Sequence, residues 1–277
     1  MVNPTSMTDN LSPISLQLGW ARGYVWSHPG YKRQQNEDEF FLQAWSDQQA
    51  CLAIVADGMG GNQGGKEAAK LAIEVLQKLL DQALPETPQG RYDFLLKGLY
   101  DADAEVRDQG SQSFQLLGMG ATIAAAIITP TDYLYLHAGD CRFYHFRQGA
   151  IVRQSKDHSI VRILVDLEKI RPEEVRHHPM RSVVNSCLGG RGGTGNFAID
   201  PKWDETKPPL YDHQSGDWLL LCSDGLHSMV PNEIFLDLMQ NDEQEPENLA
   251  HHLIDKALEQ GGEDNITVLL MKLGNFD

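Results

Sequence analysis

The chain has 277 residues, of which 41% are hydrophobic, and it carries a formal net charge of −16. A surface this acidic excludes nucleic acid and anionic membranes as main partners, because binding them by counterion release requires a basic surface. The apolar content is sufficient for a sizeable buried core. We therefore expect a flexible lead-in at 1–14, followed by a single domain at 15–277.

The cysteines and the start of the chain bear on the cellular compartment. The four cysteines are widely scattered and form no Cys-x-x-Cys pair, a usage typical of reducing compartments. Residues 1–13 lack the basic and apolar regions of a secretory signal, and no apolar run approaches the roughly 18 residues that span a bilayer. These features predict a cytoplasmic protein. Because no heptad or apolar stripe indicates assembly, we expect a monomer.

The first half of the chain predicts strands followed by two helices. Residues 16–26 and 39–45 show the β-type pattern, and the polar loop between them carries Arg33. An apolar, partly β-branched run then stops at Asp57 before a series of glycines, as a buried strand does at its exposed end. Apolar residues at helical spacing predict helices over 66–83 and 90–107.

The second half begins with short β-type runs joined by turns, which predict an antiparallel meander from residue 119. The charged stretch 157–179 interrupts this pattern with short helical pieces and predicts a surface flap. The whole pattern predicts the α+β class, with two layered antiparallel sheets flanked by helices. The meander strands are expected at 121–128, 133–137, 142–147 and 150–154, and the later elements at 196–199, 217–222, 231–239, 246–259 and 265–273.

Acidic residues beside turns recur at four places. Two carboxylates about 4 Å apart repel by roughly 4 kcal/mol at an effective dielectric constant near 20, so a fold that gathers them needs cations. Oxygen ligands without histidine or cysteine favour magnesium or manganese over zinc. The four places are Asp57-Gly58, Asn36-Glu37-Asp38, Ser223-Asp224-Gly225 and Glu263-Asp264-Asn265.

Two such ions would give these residues a hydrolytic chemistry. Ions that share a bridging carboxylate can lower the pKa of a bound water and hold a phosphate oxygen. Asp57 is our candidate for the bridge, with the carbonyl of Gly58 beside it. Arg33 is the candidate phosphate clamp, because a guanidinium matches two phosphate oxygens at once.

A nucleotide-binding loop is an alternative for the glycines after this strand. Residues 60–66 match the Gly-x-x-x-x-Gly-Lys spacing between a strand and a helix. Glu67 follows, where a serine or threonine should hold magnesium, and its carboxylate would repel phosphate. We keep the P-loop nucleotidase as an alternative hypothesis.

A set of short motifs covers nearly the whole chain after the lead-in. Together they resemble the motifs of the metal-dependent Ser/Thr protein phosphatases of the type 2C family, in that family's order and spacing. The resembling segments are Arg33-Gln-Gln-Asn-Glu37-Asp38, Val55-Ala-Asp57-Gly-Met-Gly-Gly61, Gly118-Met-Gly-Ala-Thr122, Gly139-Asp140-Cys-Arg142, Lys156-Asp-His158, Cys222-Ser-Asp224-Gly225 and Glu263-Asp264-Asn265.

The resemblance implies a central β-sandwich flanked by helices, with a centre of two Mn²⁺ or Mg²⁺ ions at one edge. Asp57 would bridge the ions and Gly58 would offer its carbonyl. Asp224 and Asp264 would complete one ion, and Asp38 would support the other.

The resemblance also assigns roles around this centre. Glu37 would hold a metal-bound water, and Arg33 would bind the phosphate. Asp140 would hold, with Asp224, a third and weaker ion found in bacterial-type members. Residues 156–185 correspond to a flap that shapes substrate access.

The implied activity is the hydrolysis of phosphoserine and phosphothreonine in phosphorylated proteins by direct attack of metal-activated water. A cognate Ser/Thr kinase would be the enzyme that it opposes. The alternative is a catalytically inactive relative that acts as an interaction module, although such relatives tend to lose metal carboxylates and here every one has its match.

Three positions depart from the family pattern. Met59 stands where some members carry a histidine proposed as the general acid, so that protonation of the leaving oxygen would fall to metal-bound water. Cys141 replaces the usual serine. Ser186 replaces an arginine, so the resemblance does not carry a substrate preference at the flap over to this chain, whereas it does carry the metal centre.

Overall fold

The computed structural model describes residues 11–47, 49–60, 64–190, 197–239 and 244–276. Residues 1–10 of the predicted lead-in lie outside these ranges, and Ile14 already begins a strand. The strands are β1 (Ile14–Leu18), β2 (Ala21–His28), β3 (Asp38–Ala44), β4 (Cys51–Met59), β5 (Gly120–Ile128), β6 (Asp132–Ala138), β7 (Arg142–Arg147), β8 (Ala150–Gln154), β9 (Tyr211–Asp212), β10 (Trp218–Cys222) and β11 (Ile266–Leu273). The helices are α1 (Gly64–Leu76), α2 (Pro88–Gln112), α3 (Ile160–Asp166), α4 (Asp224–His227), α5 (Asn232–Leu238) and α6 (Pro246–Glu259), with 3-10 helices at Gln77–Asp81 and Pro172–His177.

The strands form two antiparallel sheets that pack face to face. The first sheet has the order β1-β2-β11-β10-β7-β8, and the second has the order β3-β4-β5-β6-β9. Helices α4, α5 and α6 cover the outer face of the first sheet, and α1 and α2 cover that of the second. The predicted α+β class, with a sandwich of two antiparallel sheets flanked by helices, is confirmed.

Strand β4 has both faces buried in apolar surroundings. Ala53 and Val55 pack in the layer between the sheets, whereas Leu52 and Ile54 pack with the side chains of α1 and α2. Because successive side chains point to opposite faces, a strand covered on both sides shows a continuous apolar run. Asp57 is therefore carried at the end of a fully packed strand.

Helix α2 begins at a local capping signal. The Oγ1 of Thr87 accepts a hydrogen bond from the amide of Gly90 at 3.1 Å, and Pro88 occupies the first turn. The helix therefore starts two residues before the predicted position and continues to Gln112. Helix α1 ends earlier than predicted, at Leu76. Within the described ranges, no helix has the length and apolar content that a membrane crossing requires.

Three predicted strand segments were wrong in part. The segment at 16–26 is a hairpin of β1 and β2, because the chain turns between Leu18 and Ala21. The meander is divided, since β5 and β6 pair in the second sheet and β7 and β8 in the first. The strand predicted at 196–199 begins outside the described residues, and Asp200 makes an isolated bridge to His137.

The flap at 156–185 is closed at its base. Ser159 and Val184 form an isolated antiparallel bridge, and the amide of Asn185 donates to the carbonyl of His158 at 2.8 Å. Between these points lie α3 and the 3-10 helix at Pro172–His177. The short helical pieces predicted here are therefore present, on a segment whose two ends are pinned together.

A buried carboxylate ties β7 to the start of β10. Asp217 accepts hydrogen bonds from His145 Nε2 at 2.8 Å, from Arg147 Nη2 at 2.7 Å and from the amide of Gln214 at 2.8 Å. Burial favours the neutral carboxyl, but the hydrogen bonds from His145 and Arg147 outweigh it and lower the pKa of Asp217. The ionised form is therefore the one that stabilises the fold.

We expect Asp217→Asn to lower the free energy of unfolding at pH 7 by about 2–4 kcal/mol, because it leaves the buried His145 and the partly exposed Arg147 with a weaker acceptor. A carboxyl with a depressed pKa stabilises the fold above its unfolded-state pKa of about 3.9 and loses that effect as the pH falls through the lower folded value. Urea unfolding should show the difference from the unsubstituted protein shrinking below about pH 4. Asp212→Asn, at an exposed position nearby, is the control. If Asp217→Asn destabilised the protein equally at low pH, the stabilising role of the ionised Asp217 would be contradicted.

Candidate metal centre

Segments that are distant in sequence meet at one end of the sandwich. Asp38 and Asp57 are paired neighbours on β3 and β4. The amide of Gly58 donates to the carbonyl of Glu37 at 3.2 Å, and the amide of Glu37 donates to Asn265 Oδ1 at 2.8 Å. Hydrogen bonds of main-chain groups, rather than contacts among the acids, therefore hold these segments together.

Two further acids are brought in by the first sheet. Asp224 begins α4 just after β10, and Asp264 lies just before β11. Gly225 packs directly on this loop, since a Cβ at that position would come within 2.0 Å of the carbonyl oxygen of Asn265. The close approach places Asp224 beside the second sheet, near enough to Asp57 for its charge to act on that carboxyl.

Asp140 reaches the same end from the point where the chain crosses between the sheets. It is buried between β6 and β7, and its charge acts on Asp224. The Nε2 of His227 donates to the carbonyl oxygen of Asp140 at 2.9 Å. Burial and the positive charge of Arg142 lower the pKa of His227 to about 3, so the donor is a neutral imidazole.

The gathered acids weaken one another's ionisation. Asp38 and Asp140 are buried, whereas Asp57, Asp224 and Asp264 keep part of their surface open to solvent. Burial, reinforced by neighbouring carboxylates, raises the pKa of Asp38 to about 7 and that of Asp224 to about 6. Burial and the same kind of repulsion raise the pKa values of Asp57 and Asp140 well above the usual range. An ionised set at neutral pH therefore needs compensating positive charge.

Two carboxylate oxygens of this set lack a hydrogen-bond donor. Asp38 Oδ2 accepts from Ser223 Oγ at 2.8 Å and from Thr267 Oγ1 at 2.6 Å. Asp38 Oδ1 and Asp224 Oδ1 are buried without a partner in the described part of the chain. Leaving such an atom unsatisfied costs about 1–3 kcal/mol, which a cation would offset. An all-oxygen donor set suits manganese or magnesium.

The predicted ligands therefore lie at one end of the sandwich: Asp38, Asp57, the carbonyl of Gly58, Asp140, Asp224 and Asp264. Across the described ranges, no three acidic, imidazole or thiol side chains already have the spacing of ligands around one ion. Binding an ion would require these side chains to move closer to one another.

Arg33 lies at the mouth of the acidic cluster. About half of its side chain is exposed, and its Nη2 donates to Asp264 Oδ2 at 2.6 Å. Its positive charge also acts on Asp224, Asp57 and Glu37, and burial raises the pKa of Glu37. A phosphate that approached the carboxylates would meet this guanidinium, which agrees with the predicted role of Arg33 as a clamp.

Arg142 and Asp157 lie in two of the predicted motifs, but sequence reasoning did not predict that they pair and tie the flap to this site. Arg142 holds Asp157 through two hydrogen bonds of 2.6 Å, from Nε and Nη2, and its Nη1 donates to the hydroxyl of Tyr144 at 3.0 Å. Burial favours a neutral Asp157, but the charge of Arg142 outweighs it and lowers the pKa of Asp157. His227 was also missed, and its position three residues after Asp224 was the available signal.

The positions that depart from the family pattern are accommodated by local contacts. Met59 ends β4 and is partly exposed. The buried Cys141 Sγ lies 3.2 Å from Thr122 Oγ1. Ser186 Oγ accepts from the amide of Ala198 and donates to its carbonyl, both at 2.8 Å. Position 186 therefore fastens the end of the flap and presents no cation.

The P-loop alternative is not supported at the start of α1. Residues 61–63 of that motif lie outside the described residues. Gly65 packs against the site, since a Cβ there would come within 2.9 Å of the Gly58 carbonyl oxygen and 3.0 Å of Glu37 Cδ. The helix start therefore faces a carboxylate, which would repel phosphate.

The raised pKa values predict how the metal-free protein responds to pH. A carboxyl whose pKa is higher in the folded chain costs stability once it ionises, so stability in a chelator should fall as the pH rises from about 4 to 7. Asp57→Asn removes one of the repelling charges and should raise the free energy of unfolding at pH 7.5 by about 1–3 kcal/mol. Thermal unfolding at several pH values checks this. Asp101→Asn, on the exposed face of α2, is the control, and a destabilised Asp57→Asn would contradict the expectation.

The chain was compared with known proteins. The protein phosphatase 2C family model matches residues 29–255. The serine/threonine protein phosphatase PstP of Mycobacterium tuberculosis is 34% identical over 256 residues, covering 91% of this chain and 45% of PstP. The serine/threonine phosphatase stp of Listeria welshimeri is 32% identical over 248 residues, covering 88% of this chain and 92% of stp. The chain thus spans about half the length of the mycobacterial relative and most of the Listeria one.

A solved structure shows the same architecture. The catalytic domain of the serine/threonine protein phosphatase PstP, in complex with two manganese ions, superposes with a TM-score of 0.75. The alignment has 30% sequence identity and covers 92% of this chain and 99% of that one. The family model matches most of the chain, and the 32% identity to the Listeria phosphatase extends over 92% of that protein. The chain therefore belongs to the protein phosphatase 2C family.

Proposed function

We propose that the protein is a protein serine/threonine phosphatase that depends on two manganese or magnesium ions. The observation that carries the proposal is the gathering of five aspartates from both sheets beside a half-exposed arginine. Membership of the protein phosphatase 2C family supports it. The manganese ions in the PstP catalytic domain support the choice of metal.

The chain's own residues would hold the ions as the sequence predicted. Asp57 would bridge them, and the unsatisfied oxygens of Asp38 and Asp224 would each gain a positive partner. When bound, the ions supply a water that ionises near neutral pH and neutralise charge on the phosphate. The full ligand set would be Asp38, Asp57, the Gly58 carbonyl, Asp224 and Asp264, with Asp140 and Asp224 sharing a third, weaker ion.

Other residues would bind and orient the substrate. Arg33 would exchange its contact with Asp264 for phosphate oxygens and hold the phosphorus over the acidic cluster. Glu37 would fix a water beside it through its carboxylate. The thioether of Met59 has no proton to give, so this side chain does not protonate the leaving serine or threonine oxygen.

The alternative of an inactive relative has no support in the site. An interaction module is free to lose metal carboxylates, yet every predicted aspartate is retained at the same end of the sandwich. Repulsion among these carboxylates destabilises the metal-free protein. A requirement for bound ions explains why they are nevertheless kept together.

We infer further that the substrates are phosphorylated proteins and that the enzyme opposes a Ser/Thr kinase. The acidic chain disfavours nucleic acid as a partner. Cys51, Cys141 and Cys222 are buried, free thiols, which supports a cytoplasmic location. We propose a monomer as the working state, and sedimentation of the purified protein would test it.

The proposal predicts metal-dependent turnover. Metal-stripped protein should hydrolyse p-nitrophenyl phosphate and a phosphothreonine peptide once manganese is added back. Asp57→Ala and Asp224→Ala should each lower kcat by at least about 100-fold, because charge neutralisation at the reacting phosphate is lost. Asp101→Ala, at an exposed carboxylate on α2, is the matched control. Full activity in Asp57→Ala would overturn the assignment.

The clamp role of Arg33 has its own test. Arg33→Lys keeps the charge but loses the two-point contact, so we expect kcat/KM to fall about tenfold, mainly through KM. Initial rates over a range of substrate concentrations separate the two constants. Arg22→Lys is the control, because it changes an arginine of β2 that pairs with Glu245. It should leave kcat and KM unchanged. An unaltered KM in Arg33→Lys would argue against phosphate binding by this residue.

A further inference from the structure

Charge is unevenly distributed along this acidic chain. The flap at 156–185 contains six lysines and arginines and five acidic residues, whereas the rest of the chain contains 17 basic and 34 acidic residues. The flap therefore lacks the excess of negative charge that the rest of the chain carries. A substrate with negative charge beyond its phosphate would find a favourable contact here.

Arg181 is held on an ordered turn of the flap. Its amide donates to the carbonyl of His178 at 3.0 Å, and the amide of Val183 donates to the carbonyl of Met180 at 3.1 Å. The bridge between Val184 and Ser159 closes the flap immediately afterwards. The position of Arg181 is therefore fixed by main-chain hydrogen bonds on both sides of it.

The turn places this guanidinium at the rim of the metal centre. Arg181 Nη2 lies 4.0 Å from Glu263 Oε2, and about half of each side chain is exposed. Glu263 is the neighbour of Asp264, which Arg33 contacts at 2.6 Å. The two arginines thus contact adjacent residues of one loop, whose Cα atoms are about 3.8 Å apart. Arg181 therefore lies beside the loop at which Arg33 would bind the phosphate of a peptide.

The other flap arginines have closer partners. Arg162 pairs with Asp166 at 2.7 Å within α3, and Arg176 donates to the carbonyl of Met229. Arg171 Nε donates to Glu174 Oε2 at 3.3 Å. The long, exposed pair of Arg181 with Glu263 contributes little to stability and is easily exchanged for another carboxylate.

We propose that Arg181 is a specificity-determining residue that binds an acidic side chain flanking the phosphorylated residue, so that the preferred substrates are acidic phosphopeptides. Glu263 acts as the competitor that occupies Arg181 when no substrate is bound. This inference rests on the proposed phosphatase function and deepens it, since it names the class of substrate.

The test uses the manganese-loaded enzyme and two sets of phosphothreonine peptides, with glutamate or glutamine at each of the three positions on either side. The ratio of kcat/KM for the best glutamate peptide to that for its glutamine twin measures the preference. We expect the unsubstituted enzyme to favour glutamate and Arg181→Gln to reduce the ratio about threefold to fivefold. The preference should also shrink in 0.5 M salt, which screens exposed charges.

Glu263→Gln separates recognition from a structural role. If Arg181 binds an acidic side chain of the substrate, Glu263→Gln should raise the ratio of kcat/KM for the glutamate peptide to that for the glutamine peptide. Arg181→Gln should lower this ratio. If the pair only holds the flap in place, both variants change activity in the same direction, which would overturn the proposal. Arg171→Gln is the matched control on the flap and should leave the ratio unchanged.

The outcome for this inference is distinct from that for the proposed function. Hydrolysis of p-nitrophenyl phosphate with equal use of both peptide sets would overturn the role of Arg181 alone. Absence of turnover on every substrate with manganese would overturn the phosphatase assignment and this inference with it.

Discussion

Carboxylates that repel one another can stay together only if other forces hold them, and this constraint organises one whole end of the molecule. The ladder between β3 and β4 sets Asp38 beside Asp57. On the opposite sheet, Gly225 allows α4 to approach the main chain of Asn265 so closely that any side chain at that position would collide. The main chain thus supplies the rigidity, and the acids bear the electrostatic cost.

The flap is connected to this arrangement through charge as well as through the chain. The Arg142–Asp157 pair is largely buried and joined by two short hydrogen bonds, so it anchors the first residues of the flap beside Asp140. A neutral His227 holds the main chain of Asp140 from the other side. A movement of the flap base would therefore shift Asp140, the residue proposed to hold a third ion. The proposed substrate contact on the flap and the proposed metal site would then depend on the same buried residues.

Much of the fold and of the site could be predicted from the sequence because the decisive signals are local. An apolar run that ends in Asp57 and glycine predicts a buried strand with an exposed end. Short motifs in a fixed order indicate the family. The division of the strands between the two sheets could not be predicted from the sequence, because β6 and β7 are consecutive in the chain but lie in different sheets. The contact between His227 and Asp140 joins residues 87 apart and leaves no periodic pattern to detect.

The proposed metal ligands come from both sheets of the sandwich, so metal binding would affect the stability of the fold. Asp38 and Asp57 belong to the second sheet, whereas Asp224 and Asp264 flank strands of the first. Bound ions would therefore link the two sheets at the end of the sandwich where the aspartates lie. By mass action, free metal at 100 times its dissociation constant would add about 2.7 kcal/mol to the stability of the fold. The abundance of the enzyme, and not only its turnover, would then follow the cell's supply of divalent metal.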